Sequence, residues 1–582
     1  MRMVIVRRIC QGFFLALFLW FCVAATVGAQ WWQLRGWPID WFLAADPLTA
    51  LTTILSTGRL APGLYWAVAT VVLTAFLGRF FCGFVCPMGT LNQITGWAGG
   101  QGRTRQERVA ANARHRLQGF KHVALVFFLA CAALGSVQAG LLDPLPLLHR
   151  SMNLAVLPLA DARTLALSDE PRLYDSAWLL GGVLLAILGL NLLRPRFFCR
   201  FLCPLGALFA LLSRFTPWRI AKREAGKCGD CRLCEERCEG ACGPSGEIVH
   251  GECVLCLNCL EACPSGRMGF APEPSASGER HLPAISRRGV LTAAAAGAVA
   301  APLWGVGALA GPARDASLLR PPGALDEERF LARCIRCGQC MRVCPSNIVQ
   351  PALLQAGVQG LWTPALNFRM GRSGCQPNCI ACGNACPTAA VRPLTLDEKH
   401  GTGDFADKGP VRLGTAFVDR TRCLPWAMDR PCIVCQEVCP VSPKAIHTRV
   451  VFEPVRDGRL PAARLAGDVL DLSAAPPQGL NLAGGDHAVR PAARPEAQPR
   501  RILGQSGGRL TLEKPGRGPG AWQELAPGER VEIVVRLQRP HVDPSRCIGC
   551  GMCEHDCPVS GLRAIRVTSE NESRSRAGKM TV

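Results

Sequence analysis

Cysteine is the residue type that could do chemistry in this chain, because it is abundant and regularly spaced. Of 582 residues, 32 are cysteine, and several groups follow the pattern C-x2-C-x2-C-x3-C with proline after the last cysteine. This spacing is typical of thiolates that hold a cubane [4Fe-4S] cluster. Disulfide scaffolds are short secreted chains, and a zinc site uses four ligands on two short arms. The pattern therefore predicts iron–sulfur ligation, with a zinc-based interaction protein as the alternative.

Two runs of this form lie close together near the middle of the chain. In two-cluster bacterial ferredoxins, three cysteines of one run and the fourth of the other hold each cube. We therefore assign one cube to Cys228, Cys231, Cys234 and Cys263, and its neighbour to Cys253, Cys256, Cys259 and Cys238. Cys238 lacks the usual following proline, and Cys242 comes four residues later, so either thiol can be the fourth ligand of the second cube.

Four further cysteine sets follow, each ending in Cys-Pro. They are Cys334, Cys337, Cys340 and Cys344; Cys375, Cys379, Cys382 and Cys386; Cys423, Cys432, Cys435 and Cys439; and Cys547, Cys550, Cys553 and Cys557. Sixteen thiolates are enough for four more cubes, which brings the predicted total to six [4Fe-4S] clusters. Eight residues separate Cys423 from Cys432, so Cys423 fits the pattern least well. The sequence contains no C-x-x-C-H motif for covalent haem.

A second cysteine motif, C-x3-C-P, occurs twice in a longer repeat. RFFCGFVCPMGTL carries Cys82 and Cys86, and RFFCRFLCPLGAL carries Cys199 and Cys203. Residues four apart share one face of a helix, and the following proline helps to end that helix. If pseudo-symmetry brings the repeats together, the four thiols converge and could hold a metal or cluster or act as a redox dithiol pair. The alternative is that they only pack as small apolar residues, as we expect for Cys10, Cys22 and Cys131.

Apolar segments must position these motifs. Four runs, at about residues 9–29, 64–81, 120–142 and 176–193, are long and apolar enough to predict membrane helices. Arginines cluster in the connections after the second and fourth runs, which predicts that both ends of this four-helix unit face the cytoplasm. The net charge of +21 is concentrated in such connections, and no nucleic-acid-binding motif accompanies it, so we expect no nucleic-acid partner.

The repeat also places an Asp-Pro-Leu sequence at the other end of each helical hairpin. Asp46 precedes the second run, and Asp143 follows the third. One interpretation is a proton-accepting quinol site formed by Asp46 and Asp143 with His149 and Arg150. The alternative is an ordinary helix start, in which Asp caps the helix and Pro occupies its first turn.

A fifth, weaker apolar run covers residues 286–311. Its start, Ser-Arg-Arg-Gly-Val-Leu, precedes an Ala/Gly-rich segment and resembles a twin-arginine export signal, here internal. An ordinary anchor helix is the alternative. Export would place the following cysteines in the periplasm after their clusters had been inserted in the cytoplasm. Ala308 and Ala310 form an A-x-A sequence, so cleavage after Ala310 would free the C-terminal half.

The order of these parts resembles the NapH and NapG pair, the membrane and periplasmic ferredoxin-type proteins that carry electrons from quinol to periplasmic nitrate reductase, here joined in one chain. The match covers about residues 1–450 and 540–570 and includes both C-x3-C-P motifs and the segment CIRCGQCMRVCP. The same parts are similar to the MauN and MauM proteins of methylamine dehydrogenase biogenesis. The first half also resembles the NosR and CcoG groups. The segment 451–540 and the long gap after Cys423 depart from the NapG pattern.

The resemblance implies how the later sets share ligands. In related four-cluster subunits the first set exchanges its last cysteine with the fourth, and the second with the third. By this resemblance Cys557 completes the first cube, Cys344 the fourth, Cys439 the second and Cys386 the third.

The resemblance also implies a function. We expect a multi-pass electron-transfer protein of a bacterial inner membrane that carries electrons from the quinone pool to a periplasmic redox enzyme or cytochrome, and whose enzyme class would be quinol dehydrogenase. The alternative is a maturation factor that supplies electrons for assembly of a periplasmic metalloenzyme.

The predicted fold is a multi-pass α-helical membrane domain with α+β, bacterial-ferredoxin-like domains on each side, joined by the fifth apolar segment. The domains are residues 1–225 for the membrane helices, 226–272 for the cytoplasmic two-cluster unit and 283–312 for the signal or anchor. Residues 320–450 and 541–570 form the periplasmic four-cluster unit. Between them, residues 451–540 are rich in Pro and Gly, with one strand-like run at residues 530–537, and we expect a partly disordered insertion.

Overall fold

The computed structural model describes residues 3–27, 38–164, 172–224, 231–280, 285–309, 317–477, 481–514, 522 and 525–574. The chain divides into two compact units. The first contains Met1–Arg372, Asn378–Val411 and Arg574–Gly578, and the second contains Ser373–Pro377, Arg412–Ser573 and Lys579–Val582. The predicted ligand Cys228 and the cleavage position Ala310 lie outside the described residues.

The first unit is built mainly from helices. They are α1 (Met3–Val27), α2 (Trp41–Ala44), α3 (Pro47–Thr57), α4 (Trp66–Leu77), α5 (Pro87–Gly99), α6 (Arg105–Ala111), α7 (Phe120–Ala133), α8 (Pro144–Ser151), α9 (Leu157–Thr164), α10 (Ala177–Gly189), α11 (Pro204–Leu212), α12 (Leu233–Glu236), α13 (Asn258–Ala262), α14 (Arg287–Leu309), α15 (Glu327–Leu331), α16 (Gln339–Arg342), α17 (Ala381–Asn384) and α18 (Leu396–His400). Short strand pairs lie beside the cysteine runs. They join β1 (Arg219–Lys222) to β3 (Met268–Ala271), β2 (Ile248–Val249) to β4 (Glu279–Arg280), and β5 (Val349–Pro351) to β6 (Pro364–Leu366).

Two described helical segments are long and apolar enough to cross a membrane, Met3–Thr26 and Arg105–Ala133. They correspond to the first and third predicted spans and support association with a membrane. The apolar helices at the second and fourth predicted spans, Pro62–Leu77 and Ala177–Leu192, are shorter. The prediction of four spans is therefore supported for two helices and stays a prediction for the other two.

The two C-x3-C-P repeats adopt the same local structure, which differs from the regular helix that we predicted. Phe81–Val85 and Phe198–Leu202 form wide π-helical turns, and the second cysteine of each pair is extended. Cys86 and Cys203 then cap new helices, α5 and α11, that begin at Pro87 and Pro204. Because proline is favoured in the first turn of a helix, it starts a helix here as well as ending one. The two cysteines of a pair therefore do not share the face of one continuous helix.

Helix α14, the fifth apolar segment, packs along α7. A β-carbon added at Gly297 would lie 2.5 Å from the carbonyl oxygen of Phe127, so glycine allows this close approach. The rings of Phe127 and Trp304 meet edge to face at 5.9 Å. This packing supports the alternative of a retained anchor helix.

Helix α7 connects two cysteine regions. At its first turn Lys121 forms an ion pair with Glu252, the residue before Cys253. Beyond its last turn Gly140 lies against the backbone of Ile335, which is between Cys334 and Cys337. A helix of 14 residues spans about 21 Å, so the two cysteine regions lie at opposite ends of the helical unit. We call these the Cys-pair end, where Cys82 and Cys199 lie, and the Asp end, where Asp46 and Asp143 lie.

The second unit combines short cysteine-bearing helices with a β-barrel. Its elements are β7 (Thr415–Val418), α19 (Leu424–Ala427), α20 (Val434–Glu437), β8 (Ile446–Ala466), β9 (Val469–Leu472), β10 (His487–Pro491), β11 (Arg500–Ser506), β12 (Arg509–Leu512), β13 (Arg530–Val542), α21 (Met552–His555) and β14 (Ile565–Thr568). Strands β7 and β14 pair antiparallel beside the cysteines.

Strands β8 to β13 close into a six-stranded barrel in the order β10-β11-β12-β9-β8-β13. Its interior is filled by buried aliphatic side chains such as Leu470, Ile502, Leu510 and Ile533. The expectation of a partly disordered insertion is wrong for the described residues of this segment. A single short strand cannot bury its apolar side chains alone, but six of them can when they close a barrel.

Candidate functional site

The cysteines of the first two runs gather beside the Cys-pair end. Cys253, Cys256 and Cys259 interact electrostatically with one another and with Cys238, the set assigned to one cube from spacing. Cys253 packs against an apolar cluster that contains Ile220 and Cys259. Cys234 and Cys263, from the other predicted cube, pack against this cluster too. With Cys228 outside the described residues, the ligation of that second cube stays a prediction.

Cys238 and Cys242 lie together, with their sulfur atoms 3.5 Å apart. The hydrogen bond between them lowers the pKa of Cys238 and raises the pKa of Cys242, because one thiol donates and the other accepts. Cys242 also lies beside Cys253, so both thiols reach the same cysteine group, and either of them can be the fourth ligand of this cube.

The later sets group differently from the exchange that the resemblance implied. In the first unit Cys386 interacts electrostatically with Cys334, Cys337 and Cys340. In the second unit Cys557 lies with Cys423 and Cys435, and Cys439 lies with Cys547, Cys550 and Cys553. The structure therefore places the last cysteine of the second set, Cys386, with the first set rather than the third, and it exchanges the last cysteines of the third and fourth sets.

This grouping has a structural reason. The last cysteine of each set follows a short helix, and that helix packs against the short helix of another set. Helix α16 packs against α17, and α20 packs against α21. Cys344 and Cys382 lie in the first unit, while Cys375 belongs to the second and its backbone N–H donates to the carbonyl oxygen of Cys550 at 2.7 Å.

The donor groups fit iron–sulfur cubes better than single ions. Among the described residues, no three His, Cys, Asp or Glu side chains lie close enough together to hold one metal ion. A cube carries its thiolates on separate iron atoms, so its ligands are farther apart than those of a single zinc. Groups of four cysteines such as Cys253, Cys256, Cys259 and Cys238 are the donor set of a cubane.

The four thiols of the C-x3-C-P repeats converge at the Cys-pair end. Cys203 interacts electrostatically with Cys199, Cys82 and Cys86, and Cys199 interacts with Cys82. Two of these sulfur atoms accept backbone hydrogen bonds, that of Cys86 from the N–H of Gly89 at 3.4 Å and that of Cys203 from the N–H of Gly206 at 3.1 Å. The convergence expected from pseudo-symmetry is therefore present.

Two buried arginines cross between the repeats. A β-carbon added at Gly206 of the second repeat would lie 2.8 Å from Nη2 of Arg79 and 3.4 Å from Sγ of Cys203. In the reciprocal position, Arg196 donates from Nη1 to the carbonyl oxygen of Cys82 at 3.3 Å. Each arginine interacts electrostatically with Cys82 and Cys199.

At the Asp end, the two Asp-Pro-Leu sequences also meet. Asp46 caps α3, since its carboxylate accepts hydrogen bonds from the N–H of Leu48 at 2.9 Å and the hydroxyl of Thr49 at 3.0 Å. The helix-start interpretation is therefore confirmed for Asp46. Asp143 makes no capping hydrogen bond, and its carboxyl group instead faces that of Asp46. Both side chains are fully buried.

His149 and Arg150 lie nearby but have different surroundings. His149 is buried edge-on to Phe18, with ring centroids 4.8 Å apart, and neither ring nitrogen has a hydrogen-bond partner among the described residues. Arg150 donates to the carbonyl oxygen of Arg336 at 3.1 Å, and its guanidinium lies 4.6 Å from the ring centroid of Trp362. Arg150 thus ties the helical unit to the loop of the first cysteine set.

A cavity of about 480 Å³ opens at the Cys-pair end, between α1, α5 and the first two cysteine runs. Its lining includes Trp97, Gln93, Arg196 and Glu261. Asn258, which lies between Cys256 and Cys259, also borders it. Sequence reasoning missed this cavity and the crossing arginines, although the Arg at the start of each RFFC repeat was a signal for the latter.

Comparison with known proteins supports iron–sulfur chemistry. A family model described as a 4Fe-4S binding domain matches residues 60–106 and 176–223, which contain both C-x3-C-P motifs. A second 4Fe-4S binding domain model matches residues 330–350 and 540–563.

Several curated proteins are similar to parts of the chain. The putative electron transport protein YccM of Escherichia coli is 29% identical over 263 residues, 44% of this chain and 70% of that protein. Protein NirI of Paracoccus denitrificans is 30% identical over 234 residues, 38% of this chain and 32% of NirI. The methylamine utilization ferredoxin-type protein MauM of Methylophilus methylotrophus is 39% identical over 142 residues, 24% of this chain and 57% of MauM.

The chain thus spans about a third of NirI and just over half of MauM. No solved structure matches significantly. These similarities support an iron–sulfur electron-transfer function and involvement in a redox chain. The narrower resemblance to NapH and NapG stays a prediction.

Proposed function

We propose that this chain is a membrane-bound iron–sulfur conduit that carries electrons from quinol to a redox enzyme or cytochrome on the other side of the membrane. The observation that carries the proposal is the position of cysteine groups at opposite ends of α7, one beside Lys121 and one beside Gly140. Thiolate-bound cubes supply one-electron chemistry over a wide range of potentials. Six such cubes, two before α14 and four after it, would form the conduit.

In this proposal the Cys-pair end faces the cytoplasm and the Asp end faces the periplasm of a bacterial inner membrane. The arginines at residues 103–116 and 194–223 support this orientation, because Lys and Arg concentrate in cytoplasmic connections. Helix α14 would then carry the chain back across the membrane, and its packing against Phe127 supports a retained anchor.

The open cavity at the Cys-pair end is our candidate for the quinol headgroup. Oxidation of one quinol to quinone releases two electrons and two protons. Gln93 and Asn258 offer polar contacts to the headgroup, and the exposed carboxylate of Glu261 offers a proton acceptor. Asn258 also lies between Cys256 and Cys259, at the start of α13, so electrons would leave one at a time towards that group. Asp46 and Asp143 are closed to solvent, which favours a proton-holding role for them over contact with quinol.

Reduction of the protein by quinol tests this function. Full-length protein, purified anaerobically with oxidised clusters, should bleach in the visible when a short-chain quinol is added. Trp97→Ala should raise the quinol concentration needed for half-maximal bleaching several-fold, because Trp97 lines the cavity and is 71% exposed. Trp178→Ala is the matched control, since Trp178 is 80% exposed on α10 and does not line the cavity.

A protein that dithionite bleaches but that no quinol reduces would overturn the quinol proposal. The maturation alternative is separated by deleting the gene. Loss of a conduit leaves the partner enzyme active with an artificial electron donor, whereas loss of a maturation factor leaves it inactive with every donor.

A further inference from the structure

The strands that enter and leave the barrel carry basic residues directly opposite one another. In the antiparallel pairing of β8 with β13, His447 lies opposite His541 and Arg449 lies opposite Arg539. Because residues two apart on a strand point to the same side, all four side chains share one face, which we call the basic ladder. Like charges directly opposite each other on paired strands are destabilising, so the pairing of Arg449 with Arg539 weakens the strand pair.

Ion pairs neutralise only part of the basic ladder. Arg539 forms an ion pair with Glu453 at 3.0 Å. Arg449 is exposed and has no carboxylate partner among the described residues, and the same is true of Arg420. Both arginines act electrostatically on His541, so Arg420 lies close enough to add its charge to that of the ladder. An arrangement that costs stability and keeps free positive charge at the surface is suited to binding rather than to folding.

The chain around the third cysteine set also has an excess of positive charge. Asp543 acts electrostatically on His447, but it also forms an ion pair with Arg546 at 3.4 Å. A surface of one sign raises the local concentration of molecules of the opposite sign. Between residues 420 and 449 the basic residues are Arg420, Arg422, Arg430, Lys444 and Arg449, and the acidic ones are Asp429 and Glu437.

The basic ladder adjoins the third cysteine set. Trp426, in the long gap between Cys423 and Cys432, meets the ring of His541 with centroids 5.7 Å apart. Cys432 and Cys435 are half-buried, whereas all four cysteines of the fourth set are buried. The third set is therefore closer to the surface of the second unit than the fourth set, and electrons would leave this unit beside the ladder.

We propose that the basic ladder, with Arg420 and the neighbouring Met428, is the docking surface for an acidic redox protein that accepts electrons from the third cysteine set. In each encounter one electron would pass from the cube held by this set to the redox centre of the acceptor. The cube is oxidised by one electron, the acceptor is reduced by one, and no bond is made or broken. The inference deepens the proposed function and rests on it, since it names the surface and the charge of the recipient.

The surroundings of the ladder favour a protein over a lipid surface with anionic headgroups. Arginine, methionine and aromatic residues are enriched at protein interfaces, and Met428 is 52% exposed beside Trp426. Transient redox complexes bury less than about 1,200 Å², so a small charged patch is enough for docking. A lipid surface would have no use for the half-buried cluster cysteines beside the patch.

Electron transfer to two forms of one haem protein tests the docking surface. Cytochrome c is basic, and succinylation of its lysines makes the same haem protein acidic. Full-length protein, reduced with dithionite and freed of excess reductant, should reduce the succinylated form faster than the native form. The faster rate should fall several-fold when the ionic strength rises from about 0.01 to about 0.1 M, because the Debye length shortens from about 30 to about 10 Å.

Arg449→Glu should weaken this preference without weakening the fold. The substitution replaces repulsion of Arg539 by attraction, so hydrogen exchange in peptides of β13 should be no faster than in wild type. The rate with succinylated cytochrome c should nevertheless fall several-fold, and the rate with native cytochrome c should rise. Arg464→Glu, at an exposed position further along β8, changes the net charge by the same amount and should leave both rates unchanged.

Equal rates of wild type and Arg449→Glu with succinylated cytochrome c would overturn the docking surface. A variant that loses binding to phosphatidylglycerol vesicles but keeps its rate with the acidic cytochrome would overturn it too, since the ladder would then face lipid. Both results are separate from the test of the conduit, because dithionite rather than quinol supplies the electrons here.

Discussion

The indole N–H of Trp426 donates to the carbonyl oxygen of Pro540, 3.4 Å away. Trp426 lies in the long gap between Cys423 and Cys432, and Pro540 lies on β13 of the barrel. The guanidinium carbons of Arg420 and Arg539 lie 4.4 and 4.8 Å from the centroid of the same ring. The two features that depart from the NapG pattern, the long gap and the inserted segment, therefore contact each other.

Replacing Trp426 should loosen the barrel beside the third cysteine set. Trp426→Ala removes the hydrogen bond and both stacked arginine contacts, which are worth about 0.5–1 kcal/mol each at exposed sites. We expect faster hydrogen exchange in peptides of β13 and α19, measured by mass spectrometry on the full chain. Leu503→Ala, on an exposed barrel position, is the control and should leave these peptides unchanged.

Double substitutions should reveal which cysteines share a cube. Because Cys386 lies with Cys334, the pair Cys334→Ala and Cys386→Ala should lose about four iron atoms, no more than either single change. The pair Cys334→Ala and Cys557→Ala should lose about eight, because it removes ligands from two cubes. Iron analysis of the four proteins decides the matter, and the reverse pattern would restore the exchange implied by NapG-type proteins.

The buried carboxyl pair should hold one proton. Two carboxylates facing each other away from water cannot both ionise, so one of Asp46 and Asp143 carries a proton. Infrared spectra should show a carboxylic acid band that disappears in Asp143→Asn. Asp46→Asn should shift the same band, because it removes the facing carboxyl group, and it should leave the cap of α3 nearly as strong, because asparagine caps a helix about as well as aspartate. A band that neither substitution changes would contradict the shared proton.

The barrel should be stabilised by Glu532 in a pH-dependent way. Burial raises the pKa of this carboxyl, but hydrogen bonds from Arg459 and Arg490 outweigh it and hold the pKa below its usual value. The stabilisation is therefore complete at neutral pH and is lost as the pH falls through the lowered pKa. Glu532→Gln should cost about 1–3 kcal/mol at pH 7, and the difference from wild type should shrink in acid.

Hydrogen exchange of β13 peptides at several pH values measures this difference. Asp471→Asn, which removes an exposed ion pair with Arg509, is the matched control and should change the stability by less than about 1 kcal/mol. If the two substitutions changed the stability by the same amount, burial of Glu532 would not strengthen its ion pairs.

A larger residue at Gly297 should separate α14 from α7. Gly297→Leu places atoms where the carbonyl oxygen of Phe127 lies, and overpacking of this kind costs about 1–3 kcal/mol. The melting temperature of the detergent-solubilised protein should fall, whereas Gly182→Leu on α10, where no atom lies within 4 Å, should have little effect. A purified protein whose N-terminus is residue 311 would contradict a retained helix.

The sequence predicted the cysteine groups well because cluster ligands follow a local spacing. Cys253, Cys256 and Cys259 are three residues apart, the first two on a loop and Cys259 in the first turn of α13, so no distant contact is needed to recognise them. The partner of each last cysteine was not predictable in the same way. Cys386 joins Cys334 only because α16 and α17 pack together, and that contact links positions far apart in the chain.

The barrel and the crossing arginines were also not predictable, because both depend on contacts between distant parts of the chain. Strand β12 alternates exposed and buried residues, but over only four positions within a segment rich in Pro and Gly. So short an alternation cannot be told from a loop without its neighbours. The contact of Arg79 with Gly206 joins two copies of a repeat, and the sequence shows the repeat without showing that its copies face each other.

The pairing of β8 with β13 shows where the barrel is attached to the cysteine-bearing part of the second unit. Ile446 pairs with Val542, and His447 pairs with His541. The first and last residues of the barrel segment are therefore neighbours in space. A short turn joining these two positions would delete the whole barrel and keep Cys439 and Cys547 near their present places. The barrel is therefore a self-contained attachment, and its loss would leave the cysteine sets on either side of it joined through a single strand pair.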